Sequence, residues 1–194
     1  MAPTSLRETV LQAAVEHIAE HGPDGLSFRQ VAAAAGVSHQ APYHHFSDRK
    51  GIFQAIALEG FTMFAAALRH AEADGGDDSS ISLLQAYVDF AVEHTGHFRV
   101  MFRPELTCID ENPELAAVAG ESFDVLLDHV QQQLGSRSSV AEVRERAVTM
   151  WSVAHGLATL LIDGPLEQHV GPLPDRRALT RAVAMQTGLS SPRR

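Results

Sequence analysis

The feature that most constrains this chain is the spacing of its apolar residues, which recurs every three or four positions along almost the whole sequence. Near the start, Leu6, Val10, Ala13, Ala14 and Ile18 follow this spacing, which places them on one face of a helix. No stretch alternates apolar and polar residues as a half-buried strand does. We therefore predict an all-α protein of about nine helices, three short ones at the front and longer ones after them.

Small polar residues, glycine and proline mark the ends of the predicted helices. Ser27 and Ser38 are expected N-caps, and Asn112-Pro113 opens a long helix with proline in its first turn. The polar run DGGDDSS at 74–80 is expected to be an exposed loop. The predicted helices lie at 5–21, 28–35, 39–45, from 47 onward, 82–95, 98–102, 113–134, 139–163 and 175–187.

Segment 27–46, SFRQVAAAAGVSHQAPYHHF, places two short helices on either side of a tight turn at Gly36. Phe28, Val31 and Ala32 form an apolar face that would hold the two helices together. This arrangement is typical of a helix-turn-helix, whose second helix enters the major groove of DNA. Free backbone N–H groups and the helix dipole at the two helix starts favour phosphate oxygens.

The exposed side of this segment supplies the candidate DNA contacts. The amide of Gln40 can pair with adenine, and the ammonium of Lys50 can meet a phosphate at the next helix start. The full candidate set is Ser27, Arg29, Ser38, His39, Gln40, Ala41, Tyr43, His44 and Lys50.

The charge of the chain limits how such a module could hold DNA. The chain has 15 Lys and Arg residues, of which one is Lys, against 24 Asp and Glu, for a net charge of −9. Residues 1–62 carry four basic and six acidic residues, whereas a nucleic-acid-binding domain is usually basic. We therefore expect helix N-termini and neutral donors to supply much of the phosphate contact, with a shallow dependence of affinity on salt.

The chain resembles the tetracycline-repressor (TetR/AcrR-like) family from Val10 to about Phe61. The matching elements lie in the stretch AAVEHIAEHGPDGLSFRQVAAAAGVSHQAPYHHFSDRKGIF. Its most specific element is Tyr43-His44-His45-Phe46, followed by a polar linker, a basic residue and an aliphatic pair. The resemblance implies three N-terminal DNA-binding helices, followed by helices that form a ligand pocket and a dimer interface. We therefore expect a DNA-binding domain at 4–62 and a ligand-binding and dimerisation domain at 63–190.

Three residues depart from this pattern. His39 stands where the family often has lysine, which puts one phosphate contact in doubt, and His17 stands where an apolar residue is usual. Pro42 lies in the predicted recognition helix, although near enough to its start for the missing N–H to cost little.

The second half resembles one subgroup of the family, with a tryptophan–histidine–glycine C-terminal domain, through Trp151, His155 and Gly156. Trp151 and His155 lie a turn apart on one helix face, where they could line an effector pocket, the core or a dimer interface. Further pocket candidates on the helices that enclose the family's cavity are Phe64, Tyr87, Phe90, His94, Phe98, Phe102 and Phe123. The segments 140–163 and 175–187 are the expected homodimer interface.

These patterns predict a cytoplasmic, dimeric repressor that a small, largely apolar effector releases from a palindromic operator in double-stranded DNA. The same fold could also act as an activator or without an effector. A helical enzyme or metal protein built on the 11 histidines is a rival from another class. The sequence offers it no carboxylate–histidine motif, phosphate-binding loop or nucleophile elbow, so we expect no enzyme activity, metal or cofactor.

Smaller features agree with an intracellular protein that has no membrane partner. No apolar run approaches the roughly 20 residues of a membrane span, and the first residues lack the order of a secretory signal. The single cysteine, Cys108, allows no disulfide within one chain, and its acidic neighbours favour an incidental role over a redox sensor. His17 and His21 have the spacing of a metal-binding pair, but the sequence offers no obvious third ligand nearby.

Overall fold

The computed structural model describes residues 5–164 and 166–188, apart from the side chain of Asp77. Within these ranges the regular structure is helical, as predicted, and Thr4 and residues 189–190 of the expected domains lie outside them. The helices are α1 (Leu6–His21), α2 (Phe28–Ala34), α3 (Ala41–His45), α4 (Arg49–Gly75), α5 (Ser79–Glu93), α6 (Thr95–Met101), α7 (Pro104–Thr107), α8 (Pro113–Leu134), α9 (Val140–Asp163), α10 (Leu166–Val170) and α11 (Arg176–Gln186).

The described residues thus form eleven α-helices, two more than the sequence indicated. The additional helices α7 and α10 have four and five residues, which is too short to show an apolar stripe. The predicted helix starts are confirmed at three positions. The Ser27 hydroxyl accepts the N–H of Gln30, the Asn112 side chain accepts the N–H of Leu115, and Ser139 caps α9.

The chain divides into two compact units, one made of Met1–Thr62 with His94–Ala119 and the other of Met63–Glu93 with Gly120–Arg194. The sequence placed 94–119 in the second domain, whereas these residues pack with the first unit.

A close approach between α1 and α6 explains this placement. A Cβ on Gly96 would lie 2.2 Å from the carbonyl oxygen of Val15, so only glycine allows the two helices to pack this tightly. The guanidinium of Arg99 donates to the carbonyls of Ile18 and Ala19 near the end of α1. The sequence suggested that Gly96 ends the preceding helix. In the structure Gly96 lies inside α6.

In the second unit, α5 packs against both α9 and α11. Arg176 at the start of α11 forms ion pairs with Asp89 and Glu93 of α5, with its Nε 2.6 Å from an Asp89 oxygen. Val130 of α8 lies in a buried cluster with residues of α9 that include Met150.

The segment 74–80 is helical and not a loop, although Asp74, Gly76 and Asp78 are exposed as its composition suggested. Helix α4 continues to Gly75, residues 76–78 form a 3₁₀ turn, and α5 begins at Ser79. Ser80 is only 1% exposed, and its buried hydroxyl has hydrogen-bond partners in His129 and Gln133. Both partners lie about fifty positions away, which local composition cannot reveal.

By length and composition, α4 is the one described helix that could cross a membrane. Half of its most apolar stretch is buried inside the protein. A core helix of this kind meets the same criteria, so the observation is weak evidence for a membrane span.

Candidate functional site

Helices α2 and α3 form the helix-turn-helix that the sequence predicted. Gly36 adopts φ +66°, in the left-handed region that favours glycine, and the N–H of Val37 donates to the Ala32 carbonyl to close the turn. Phe28 and Val31 are buried beneath it. The local chemistry of a glycine turn and an apolar face therefore holds α3 at a fixed position against α2.

Helix α3 is shorter than predicted, and Ser38 does not cap it. The N-cap residue is Gln40, which makes no side-chain capping bond, and Pro42 occupies the first turn. Ser38 instead accepts the N–H of Ala41 through its backbone carbonyl. His39 and Gln40 thus lie in the turn before α3, with exposed side chains.

The structure separates the predicted DNA contacts into exposed and buried residues. Tyr43 is 59% exposed, and its ring packs edge to face against Phe28 with centroids 4.4 Å apart. His44 and Arg29 are also exposed. Ala41 is 5% exposed and belongs to the core of the module, so its side chain cannot serve as the predicted DNA contact.

Arg49, at the start of α4, has a role that sequence reasoning missed. Its guanidinium donates to the backbone carbonyls of Pro23 and Asp24, both at 2.7 Å, and lies over the ring of Phe53. These contacts fix the α1–α2 turn to α4. The partners are backbone atoms, which sequence patterns do not identify.

Lys50, the predicted phosphate contact, has an intramolecular partner. Its ammonium donates to the carboxylate of Glu111 at 2.8 Å. This hydrogen bond raises the pKa of Lys50 above its ordinary value. The side chain of Arg103 is likewise paired, with Glu105 and Asp24. Of the cations that border the module, Lys50 and Arg103 are therefore paired with nearby acidic groups.

The residues predicted for an effector pocket lie in both units. Phe64, Tyr87, Phe90, Phe123, Trp151 and His155 belong to the second unit, and His94, Phe98 and Phe102 belong to the first. In the first unit Phe102 packs edge to face on Phe98, with ring centroids 5.4 Å apart.

In the second unit the predicted residues form one aromatic cluster. Phe64 packs against Tyr87 and Phe90, each with centroids 5.0 Å apart. Phe123 packs against Trp151 with centroids 5.5 Å apart. Trp151 is 36% exposed, whereas Phe64, Tyr87 and Phe90 are buried.

Polar atoms meet inside this aromatic cluster. The Tyr87 hydroxyl shares a hydrogen bond of 2.9 Å with His155 Nδ1 and accepts the indole N–H of Trp151 at 3.3 Å. Burial raises the pKa of Tyr87 and lowers the pKa of His155, which favours the neutral form of both groups at neutral pH. A few neutral hydrogen-bonding groups among aromatic rings are the usual lining of a small-molecule site.

Ser80, His129 and Glu72 are neighbours in space, in the serine–histidine–carboxylate arrangement of a catalytic triad. Ser80 Oγ lies 3.0 Å from His129 Nε2, and His129 Nδ1 lies 3.6 Å from Glu72 Oε1. The second distance is too long for a hydrogen bond, and Gln133 donates to the serine oxygen. Ser80 and His129 are buried, and the cluster is better understood as a link between α4, α5 and α8.

The remaining histidines offer little support for a metal site. His17 and His21 stack with centroids 4.6 Å apart, and His21 Nδ1 lies 3.2 Å from the His17 carbonyl oxygen. Among the described residues, no three or more His, Cys, Asp and Glu side chains are grouped to hold a metal ion. Cys108 is a partly buried free thiol.

Comparison with known proteins gives consistent matches over both halves of the chain. Residues 10–56 match the family model described as bacterial regulatory proteins, tetR family. Residues 80–185, more than half of the chain, match the model described as tetracyclin repressor-like, C-terminal domain. The tryptophan–histidine–glycine subgroup stays a prediction.

Curated relatives include transcriptional repressors. The repressor AcnR of Corynebacterium diphtheriae is 27% identical over 159 residues, which are 81% of this chain and 77% of that protein. AcnR of Corynebacterium glutamicum is 40% identical over 57 residues, but this match spans only 29% of this chain and 30% of that protein.

Solved structures share the fold over nearly the full length. A Rhodococcus protein of unknown function has a TM-score of 0.73 at 29% identity, over 99% of this chain and 100% of that one. The TetR family transcriptional regulator PfmR from Thermus thermophilus has a TM-score of 0.71 at 19% identity, over 98% of this chain and 99% of that one.

Proposed function

Because the chain belongs to the tetR family of bacterial regulatory proteins and is a DNA-binding transcriptional regulator, we propose that it is a dimeric repressor of a palindromic operator. A small effector releases it from the DNA. The observation that carries this proposal is the geometry of α2 and α3, with an exposed Tyr43 beside an exposed turn. As a regulator of transcription, it would act in the cytoplasm.

The DNA contact follows from the exposed side chains of the module. In a helix-turn-helix the second helix lies in the major groove, and its first residues meet base edges. His39 and Gln40 precede α3 in an exposed turn, and Gln can pair with adenine. Tyr43, held by its packing on Phe28, and Lys50 would donate to backbone phosphates.

A dimer is supported by apolar side chains that the described chain leaves exposed. Val148 and Leu160 of α9 and Met185 of α11 are each about half exposed. Pairing of two chains through these helices would remove this apolar area from water. A two-fold dimer that presents its recognition helices about 34–36 Å apart would fit successive major grooves.

Release by an effector is supported by the aromatic cluster of the second unit. Tyr87 and His155 provide neutral polar atoms among apolar rings, which suits a largely apolar ligand with one hydrogen-bonding group. Such a ligand lowers DNA affinity only if it binds the DNA-free conformation more tightly.

A footprint of the purified protein on the DNA that flanks its own gene tests the proposal. We expect two protected half-sites about one helical turn apart. Tyr43→Phe keeps the packing on Phe28 and removes only the hydroxyl, so it separates DNA contact from folding. This variant should weaken operator binding by about tenfold with an unchanged dimer in sedimentation. Binding of Tyr43→Phe at wild-type strength would remove Tyr43 from the interface, and absence of a footprint would refute the operator proposal.

A further inference from the structure

The partner of Lys50 has a consequence beyond folding. Lys50 is the only lysine of the chain and the second residue of α4. Its partner Glu111 ends a 3₁₀ turn, Ile109–Glu111, that precedes α8. The two side chains are 41% and 64% exposed, with Nζ and Oε2 2.8 Å apart. The pair therefore lies at the surface, where DNA can reach it.

A carboxylate oxygen and a phosphate oxygen are equivalent partners for an ammonium group. Lysine is a compact point charge that does not require the planar fork of an arginine pair, so either oxygen satisfies it. In the free protein Glu111 holds the ammonium where a DNA phosphate would otherwise bind. A phosphate that approached the intact pair would also face the negative carboxylate.

The neighbouring cation, Arg49, has among the described residues no carboxylate partner that a phosphate could displace. Arg49 donates to the backbone carbonyls of Pro23 and Asp24, which are neutral and fixed by the fold. The Glu111 side chain is exposed and can turn away from Lys50. Exposed ion pairs contribute little free energy, so phosphate can displace this carboxylate at a modest loss of affinity.

We infer that Glu111 is a determinant of DNA affinity, because its carboxylate competes with backbone phosphate for the ammonium of Lys50. The inference rests on the phosphate contact proposed above for Lys50. When phosphate displaces Glu111, the released carboxylate takes up a cation from solution. This uptake partly cancels the counterion release at the phosphate, and it makes the salt dependence of binding shallower than one Lys–phosphate contact would give.

Fluorescence anisotropy with a short labelled duplex of mixed sequence at low salt tests this competition, since phosphate contacts do not depend on sequence. The variants are Glu111→Gln, Lys50→Met and the double variant, with Asp110→Asn as the control. Asp110 is exposed in the same 3₁₀ turn and reports the effect of removing a negative charge nearby.

We expect Glu111→Gln to bind this duplex about two- to fivefold more tightly than the wild type. The slope of log affinity against log salt should become steeper by up to about 0.9 per chain. Asp110→Asn should give a clearly smaller gain, and the gain of Glu111→Gln should vanish in the Lys50→Met background. Thermal melting should show that all variants are folded.

A spectroscopic readout follows Lys50 directly. Because the chain has one lysine, isotope labelling of lysine gives a single side-chain ammonium signal in NMR. We expect Glu111→Gln to lower the pKa of this ammonium, since the hydrogen bond to Glu111 is the main cause of its raised value. Adding the duplex should move the wild-type signal.

The outcomes distinguish this inference from the proposed function. If Lys50→Met binds the duplex as tightly as the wild type, both the proposed Lys50–phosphate contact and the competition are wrong. If Lys50→Met loses affinity but Glu111→Gln binds as tightly as the wild type, Glu111 does not affect DNA binding and the competition alone is refuted. If Glu111→Gln binds more weakly, Glu111 positions Lys50 for DNA, and the competition is again refuted. A gain that persists in the double variant, or that Asp110→Asn reproduces, would mean general charge repulsion and would also overturn the inference.

Discussion

Gly96→Ala tests the packing of α6 on α1, on which the first unit depends. The added Cβ would lie 2.2 Å from the carbonyl oxygen of Val15 and 2.9 Å from its Cγ1. Carbon and oxygen atoms in ordinary contact are more than about 3 Å apart, so the helices must separate by roughly an ångström. The nearest atom is backbone and cannot turn away as a side chain can.

Overpacking of this kind costs about 1–3 kcal/mol. Replacing glycine by alanine in a helix recovers up to about 1 kcal/mol, and Gly96 lies in the first turn of α6, where the gain is smaller. We therefore expect Gly96→Ala to lose about 2 kcal/mol of unfolding free energy. Urea unfolding followed by far-UV circular dichroism measures this loss. Tryptophan fluorescence would report on the other unit, because Trp151, the only tryptophan, lies there.

Gly120→Ala is the matched control for this substitution. Gly120 lies inside α8, and a Cβ there would have no neighbour within 4 Å. Without a clash, only the helix propensity changes, so the variant should gain about 0.5–1 kcal/mol. If Gly96→Ala were as stable as the wild type while Gly120→Ala showed its gain, the close contact between α1 and α6 would not be a constraint, and the reasoning would be refuted.

Two further predictions concern buried polar groups. Burial lowers the pKa of His97 and of His129, so the unfolded chain binds more protons near and below the ordinary histidine pKa of about 6.5. The melting temperature should therefore fall as the pH is lowered from about 7.5 to about 5.5. The fall should be smaller in the variant His129→Gln, and a fall equal to that of the wild type would exclude His129 as a cause. Tyr87→Phe removes the hydroxyl partner of His155 and Trp151 and should cost about 1–2 kcal/mol in urea unfolding, whereas stability equal to the wild type would show that these bonds contribute nothing.

Most helix starts could be predicted because the determinants are local. Ser27 and Ser139 cap helices whose first N–H groups lie within three residues of them. The start of α3 was harder to predict, since a five-residue helix shows no apolar periodicity. Pro42 is compatible with more than one position in the first turn, so it does not fix the first residue of the helix. Ser80 was mistaken for part of an exposed loop because its partners, His129 and Gln133, are remote in sequence.

The candidate site shows the same division between local and remote information. Exposure of Tyr43 and His44 follows from an apolar face that occupies the other side of the module. The burial of Ala41 depends on where α3 begins, and the sequence placed that start two residues too early. The partner of Lys50 is 61 residues away, on a turn that the sequence did not predict.

The pairing of cations bears on how such a regulator can select its operator. Phosphate contacts supply affinity for any sequence, whereas contacts to base edges and DNA shape discriminate among sequences. In the first unit Lys50 and Arg103 are paired with carboxylates, and Arg49 donates to backbone carbonyls. With a net charge of −9 for the whole chain, sequence-independent affinity should be low. The operator would then be bound through the exposed residues of and before α3, and less of the protein would be lost to competing DNA.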